Sequence, residues 1–221
     1  MSSPSPAWSR EPGDERLTCA MVSDSLDEMG LRSQVLANGI LPLVKGSRII
    51  GRASTMQFVP SDADSDAPYD EAIDYIDSLN AGDVAVLATG ANLSTGYWGE
   101  LFSAAALGRG AVGVLTDGNV RDATKIEDLG FPVFCAGRRP TDFRARMKIV
   151  DRHHRVFLGD VAIDQGDLVL ADDDGVVVIP QRVETDVVAR ARARAKNESI
   201  VLTELLGGKT LRGVWDTYSV L

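Results

Sequence analysis

Glu100 and the pair Arg121-Asp122, with twenty residues between them, are the side chains of this 221-residue chain best suited to chemistry. Asp122 and Glu100 offer hard carboxylate oxygens of the kind that hold Mg²⁺ or Mn²⁺. Such an ion takes one or two protein carboxylates and fills its octahedron with water and substrate. Arg121 offers a planar fork for a carboxylate or keto oxygen. Glu100 follows the stretch Thr89-Gly-Ala-Asn-Leu-Ser-Thr-Gly-Tyr-Trp-Gly99, whose three glycines let backbone N–H groups approach a ligand closely. That stretch runs into what reads as a helix, and a helix N-terminus seats a carboxylate. The combination suits a small anionic substrate with a divalent metal. Plainer roles stay open on these residues alone. An Arg-Asp dipeptide is usually a solvated pair, Asp122 could simply cap a helix, and the glycines could serve turns.

The elements that must position these residues are readable on either side. Asp83–Ala88, Ala111–Leu115 and Pro132–Cys135 are short apolar runs that predict buried strands. Gly99–Leu107 and Asp122–Leu129, the latter ended by Gly130, predict the helices between them. Strand, helix, strand, helix, strand is the βαβαβ pattern of a parallel sheet. Ligands collect where such strands end, and two loops leave those ends: Thr89–Gly99 and Thr116-Asp-Gly-Asn-Val120. If the strands are neighbours, both loops line one crevice.

The rest of the chain frames this segment. Thr18 caps a predicted helix carrying Met21, Val22, Leu26 and Met29, which Gly30 ends. Arg48–Phe58 predicts a strand, the acidic stretch 61–68 a loop, and Glu71–Leu79 a helix with Ile73, Ile76 and Leu79 on one face. Val156–Val161, Leu168–Ala171 and Val176–Ile179 predict short strands, with Asp172-Asp-Asp-Gly175 as a turn. Val183–Leu206 predicts a long amphipathic helix stopped by Gly207-Gly208. Residues 1–16 have no apolar stretch of the signal-peptide kind and read as a disordered arm. No linker splits the remainder, so 17–221 reads as a single catalytic domain.

Composition removes several function classes. The net charge of −9, from 32 acidic and 23 basic residues, argues against a nucleic-acid partner, which needs a basic footprint. No apolar run approaches the roughly 18 residues of a membrane span. Cys19 and Cys135 read as reduced, buried thiols of a cytoplasmic protein. His153 and His154, as strand neighbours, point to opposite faces and cannot easily share a metal or act as a pair. Gly207-Gly-Lys-Thr210 follows a helix rather than a strand and has Thr203 where a phosphate loop needs glycine. Asp172-Asp-Asp-Gly175 lacks the twelve-residue loop and final Glu of a calcium hand. Tyr97 and Trp98 either line a pocket or pack, and Asp24 either functions or sits on a helix surface.

Beyond these derivations, the sequence resembles the RraA-like family of class II 4-hydroxy-4-methyl-2-oxoglutarate aldolases. The resemblance is carried by Gly99-Glu100, the spacer, Arg121-Asp122 and the text YWGELFSAAALGRGAVGVLTDGNVRDATKIEDLGFPVF, and by VSDSLDEMG, IIGRASTMQ, GDVAVL and GDLVLADDDGVVVIP. It implies an α/β fold of the swivelling β/β/α type with the βαβαβ segment at its centre and a long C-terminal helix. It implies a homotrimer or hexamer with sites between subunits, a 2-oxo acid substrate and a divalent cation. Asp122 would hold the metal, and Arg121 would bind the pyruvyl group and stabilise its enolate. Glu100 would assist proton transfer, and the backbone near Gly99, Leu101 and Phe102 would receive the carboxylate. A neighbouring subunit's C-terminal helix would add an acidic residue, for which Glu198 is the candidate. The implied activity is cleavage of a 4-hydroxy-2-oxo acid to pyruvate plus a carbonyl compound, with oxaloacetate decarboxylation. The alternative within the family is a non-enzymatic regulator of an RNA-degrading endonuclease; such binders tend to lack the aspartate that stands here as Asp122. One departure is Lys125, where the aldolases often carry an acid three residues after the Arg-Asp motif.

Overall fold

The computed structural model describes residue 11, residues 14–64 and residues 66–219. The strands are β1 (Leu41–Pro42), β2 (Ile49–Pro60), β3 (Asp83–Ala88), β4 (Gly96–Trp98), β5 (Gly113–Thr116), β6 (Asn119–Val120) and β7 (Val133–Cys135). They continue with β8 (Gly137–Arg138), β9 (Met147–Arg152), β10 (Val156–Leu158), β11 (Val161–Ile163), β12 (Leu168–Asp172) and β13 (Gly175–Ile179). The helices are α1 (Cys19–Glu28), α2 (Asp70–Asp77), α3 (Glu100–Gly108), α4 (Ala123–Leu129), α5 (Glu184–Leu206) and α6 (Leu211–Tyr218).

The main sheet runs β1-β7-β5-β3-β2-β12-β13, with β9 paired to the far half of the long β2. At its centre β2, β3, β5 and β7 are parallel, so the expected βαβαβ segment is present as β3-α3-β5-α4-β7. β3 shows why its sequence is a continuous apolar run rather than an alternation. Ala85 and Leu87 pack into one core cluster, Val84, Val86 and Ala88 into another on the opposite face, and all five are fully buried. The first cluster lies under α2, α3 and α4, and includes Tyr75, Ile76, Ala106 and Ile126. The second is closed by Val156, Leu158, Val161 and Ile163 from the β10–β11 hairpin. A third joins α1 and α5 to β12 and β13 through Val22, Leu26, Val187, Ala191, Leu170 and Val177. The swivelling β/β/α architecture with a long C-terminal helix is therefore present.

Local signals placed several boundaries. Thr18 Oγ1 accepts from the Met21 amide as the N-cap of α1. Asp172-Asp-Asp-Gly175 is the tight turn of the β12–β13 hairpin. Three expectations change. Both stretches read as loops contain short strands, because β4, β6 and β8 form a second parallel sheet. Val156–Val161 is not one strand but a hairpin turning at Gly159, whose φ of 59° is left-handed. The expected arm 1–16 falls mostly outside the described residues, yet its end, Asp14–Arg16, forms a 3-10 turn. There Asp14 is buried and accepts from Arg192 at 2.7 and 2.9 Å. Among the described residues, no helix is long and apolar enough to cross a membrane.

Candidate active site

β3 and β5 are parallel neighbours, so the loops that follow them leave the same end of the sheet. Asp117 stitches them together: Oδ1 accepts from the Thr89 amide at 2.7 Å and the Thr89 hydroxyl at 2.8 Å, and Oδ2 from the Ala91 amide at 2.7 Å. Asn119 adds a bond to the Leu93 carbonyl at 2.8 Å. Beyond these links, β4 and β6 pair, and the Arg121 amide donates to the Trp98 carbonyl at 2.8 Å. This clamp sets Arg121-Asp122 against Gly99-Glu100.

The result is a cavity of about 630 Å³ that Gly99, Glu100, Leu101, Phe102, Arg121, Asp122 and Lys125 help to line. All six residues expected at the site thus converge. Asp122 precedes α4 in a left-handed conformation, φ 57° and ψ 34°, and makes no side-chain cap to that helix. This turn is costly for most residues and tolerated by aspartate. It sends the carboxylate to another helix: Oδ2 accepts from the Glu100 amide, at the first residue of α3, at 3.4 Å, and lies 3.8 Å from Arg121 Nε. The helix-cap role weighed for Asp122 is therefore replaced by contact with the N-terminus of α3. Gly99 permits it. A Cβ there would stand 2.8 Å from Asp122 Oδ2 and 3.2 Å from Arg121 Cγ. Glu100 Oε2 accepts from Lys125 at 2.8 Å, and this bond raises the affinity of the Lys125 ammonium for its proton.

A residue that the sequence reading missed completes the site. Arg121 Nη1 donates to Asp142 Oδ2 at 2.7 Å, the Tyr69 hydroxyl donates to the same oxygen at 2.8 Å, and the Arg144 amide donates to Oδ1 at 2.9 Å. Burial opposes charge on Asp142, but the bonds from Arg144, Tyr69 and Arg121 outweigh it and hold the carboxyl below the usual range. The bond to Asp142 in turn pushes the Tyr69 hydroxyl up. The missed signal was directional: Asp142 follows β7, the third strand of the parallel run, whose outgoing chain joins the other two loops. Tyr69, Ile73 and Phe143 also line the cavity, and no spacing in the sequence marked them.

The remaining candidates are accounted for locally. Tyr97 and Trp98 both touch the cavity and are both 1% exposed, so they line it by packing. Burial pushes the Tyr97 hydroxyl up to about 12. Glu198 lies on α5 in a different groove with Arg16, Met21 and Leu202, and one chain does not bring it to the cavity. Asp24 pairs with Arg194 at 3.3 Å. His153 stacks on Tyr75, and His154 bonds Asp151. In Gly207-Gly-Lys-Thr210, Lys209 pairs with Glu204 at 2.8 Å and Thr210 caps α6, so the segment joins two helices. Cys19 and Cys135 are free and buried.

Among the described residues no three or more His, Cys, Asp or Glu side chains converge as a metal centre. The donor set still suits an ion that asks for few protein ligands. Both contacts of Asp122 fall on Oδ2, its side chain is 41% exposed, and the Glu100 carboxylate lines the same cavity. One or two such carboxylates meet the requirement of Mg²⁺.

Residues 19–178 match the family profile described as RraA-like, Aldolase/RraA. Protein DlpA of Legionella pneumophila is 32% identical over 199 residues, covering 90% of this chain and 32% of that protein. The chain therefore spans about a third of DlpA. A Halalkalibacterium halodurans protein, provisionally named 4-hydroxy-4-methyl-2-oxoglutarate aldolase, is 31% identical over 82% of this chain and 80% of its own length. The crystal structure of Streptomyces coelicolor RraAS2, described as an unusual member of the RNase ES inhibitor RraA protein family, superposes with a TM-score of 0.79. It is 28% identical, over 88% of this chain and 100% of that one.

Proposed function

This chain belongs to the RraA-like family, and from that premise we propose that it is a carbon–carbon lyase releasing pyruvate from a 4-hydroxy-2-oxo acid, and from oxaloacetate by loss of CO₂. The observation that carries the reading is the seating of Arg121 and Asp122 against the N-terminus of α3 in one cavity with Glu100. In this reading Asp122 holds a divalent cation, with Glu100 nearby. Such an ion supplies Lewis-acid polarisation of the 2-oxo group.

The chain's own residues supply the rest. The amides of Leu101 and Phe102, in the first turn of α3, lack helical partners and receive the substrate carboxylate. Glu100, which accepts from Lys125 at 2.8 Å, takes the proton of the 4-hydroxyl. The C3–C4 bond then breaks. C4 leaves as a carbonyl compound, and the electron pair stays on the three-carbon fragment as an enolate, which takes up a proton to become pyruvate. For oxaloacetate the same bond breaks to give CO₂ and the same enolate. Arg121 faces the developing negative charge. Asp142 holds its guanidinium and is itself held by the Tyr69 hydroxyl, so Arg121 does not have to reorganise during the reaction. We extend the reading to a homotrimer or hexamer in which Glu198 of one chain reaches the cavity of the next.

A second reading, a regulator that binds an RNA-degrading endonuclease, draws on the likeness to RraAS2. The experiment is pyruvate release from oxaloacetate and from 4-hydroxy-4-methyl-2-oxoglutarate, with Mg²⁺ and with EDTA. Release that needs the metal supports the lyase. No release, together with capture of a ribonuclease partner, would shift the assignment to the regulator.

A further inference from the structure

Arg121 and Lys125 both line the cavity, and they stand at different stations. Arg121 is fixed by Asp142 at 2.7 Å, and in the lyase reading it faces the enolate. Lys125, in the first turn of α4, donates to Glu100 Oε2 at 2.8 Å. Both members of that pair belong to one chain, so the contact forms without the neighbouring subunit that closes the cavity. Glu100 takes the 4-hydroxyl proton, so O4 of the substrate lies within a hydrogen bond of its carboxylate. C4 is one bond from O4, and a group on C4 is one bond further. The Lys125 ammonium, itself a hydrogen bond away from the same carboxylate, therefore lies beside the C4 substituent. It carries three donors on a flexible four-carbon stem, so it can take a second carboxylate while keeping the bond to Glu100. A carboxylate on C4 would gain a charge-assisted bond there. A hydrogen in its place would gain nothing.

We propose that Lys125 is a specificity-determining residue of this site: it binds a carboxylate carried on C4 and so favours 4-hydroxy-2-oxo diacids over the corresponding monoacids. This rests on the lyase reading and assigns the choice of substrate to one side chain. The carbonyl compound that leaves such a diacid is itself a 2-oxo acid, because C4 keeps its carboxylate when the C3–C4 bond breaks.

Two measurements on the full-length, Mg²⁺-loaded protein test it, in wild type, Lys125→Met and Lys125→Arg. The first is calorimetric titration with 2-oxoglutarate and with 2-oxobutanoate, which differ by the carboxylate on C4 and have no 4-hydroxyl to cleave. Wild type is expected to bind 2-oxoglutarate at least about tenfold more tightly, the lower end for a hydrogen bond to a charged group. Lys125→Met is expected to bring that ratio close to one, and Lys125→Arg, which keeps the charge, to retain part of it. The second is kcat/KM for pyruvate release from 4-hydroxy-4-methyl-2-oxoglutarate and from 4-hydroxy-2-oxopentanoate, a pair that differs by the same carboxylate. The same preference is expected in wild type and the same loss in Lys125→Met. A lysine that only ties α4 to α3 would lower both substrates alike and leave the ratio where it was. A wild-type ratio near one, or a ratio that Lys125→Met leaves unchanged, overturns the proposal, while pyruvate from either substrate or from oxaloacetate preserves the lyase. Absence of pyruvate from all three overturns the lyase reading itself, and the role of Lys125 with it.

Discussion

Arg121 is bonded through Nη1 to Asp142 Oδ2 at 2.7 Å, and Tyr69 donates to that same oxygen at 2.8 Å. The side chains of the pair are 37% and 26% exposed. At that exposure an ion pair is worth on the order of 1 kcal/mol at most, so its importance lies in orientation. Asp142→Asn keeps an acceptor and removes the charge. We expect it to lower kcat for pyruvate release by about 10- to 100-fold, the range for losing a partner that orients a site residue. Asp142→Glu should recover part of that loss. Unchanged kcat in Asp142→Asn would remove Asp142 from the site.

The same carboxylate sets a pH dependence. Its folded-state pKa is lowered despite burial, by the bonds from Arg144, Tyr69 and Arg121. It therefore binds a proton less readily in the folded chain than in the unfolded one. Its contribution to stability is present above the unfolded value, about 4, and is lost as pH falls through the folded value. The difference in unfolding free energy between wild type and Asp142→Asn should be flat above about pH 5 and shrink below about pH 4. A difference that widens on acidification would show the opposite sign.

In the proposed lyase Asp122 is the carboxylate that would hold the metal. In Asp122→Ala, Mn²⁺ binding followed by electron paramagnetic resonance and pyruvate release followed by a coupled assay should disappear together. Wild-type Mn²⁺ affinity in the variant would mean that the cation is held elsewhere.

Gly99→Ala tests close approach without removing a functional group. The new Cβ would meet Asp122 Oδ2 at 2.8 Å. The backbone there is extended, φ −155°, and accepts alanine. The end of the Asp122 side chain can swing away, so the fold should lose less than about 1.5 kcal/mol. A carboxylate displaced by about 1 Å should cost activity about a hundredfold. Thermal unfolding and kcat measured on one preparation separate the two effects.

Arg52 and Glu184 tie β2 to the start of α5 far from the cavity. Their side chains are 11% and 16% exposed, and Arg52 Nη2 donates to Glu184 Oε1 at 2.8 Å. Removing one partner of a buried ion pair is strongly destabilising, so Glu184→Ala should cost about 3 kcal/mol in urea unfolding. That is the low end of the range, because Arg52 keeps the Gly166 carbonyl. A loss below about 1 kcal/mol would mean that water replaces the pair.

What the sequence determined by itself is what depends on neighbours along the chain. The apolar runs of β3, β5 and β7, the Thr18 cap, the Asp172–Gly175 turn and the long α5 are each written within a few residues, because strand burial, capping and tight turns are short-range preferences. Glu100, Arg121 and Asp122 were legible as chemical types, and the parallel pattern implied that their loops leave one end of the sheet. Other features depend on which segments meet in space. β4, β6 and β8 are two or three residues long, too short to show an alternation, and exist because three loops run side by side. The capping role weighed for Asp122 gave way to a left-handed turn that aims its carboxylate at α3, and Gly99 is what makes room for it. Asp142 had no motif to announce it, and only the packing of the loop after β7 against Tyr69 and Arg121 gives it a role. Nearest-neighbour preferences carry no information about such meetings, because the bonds that stabilise them form between residues brought together by the closed core.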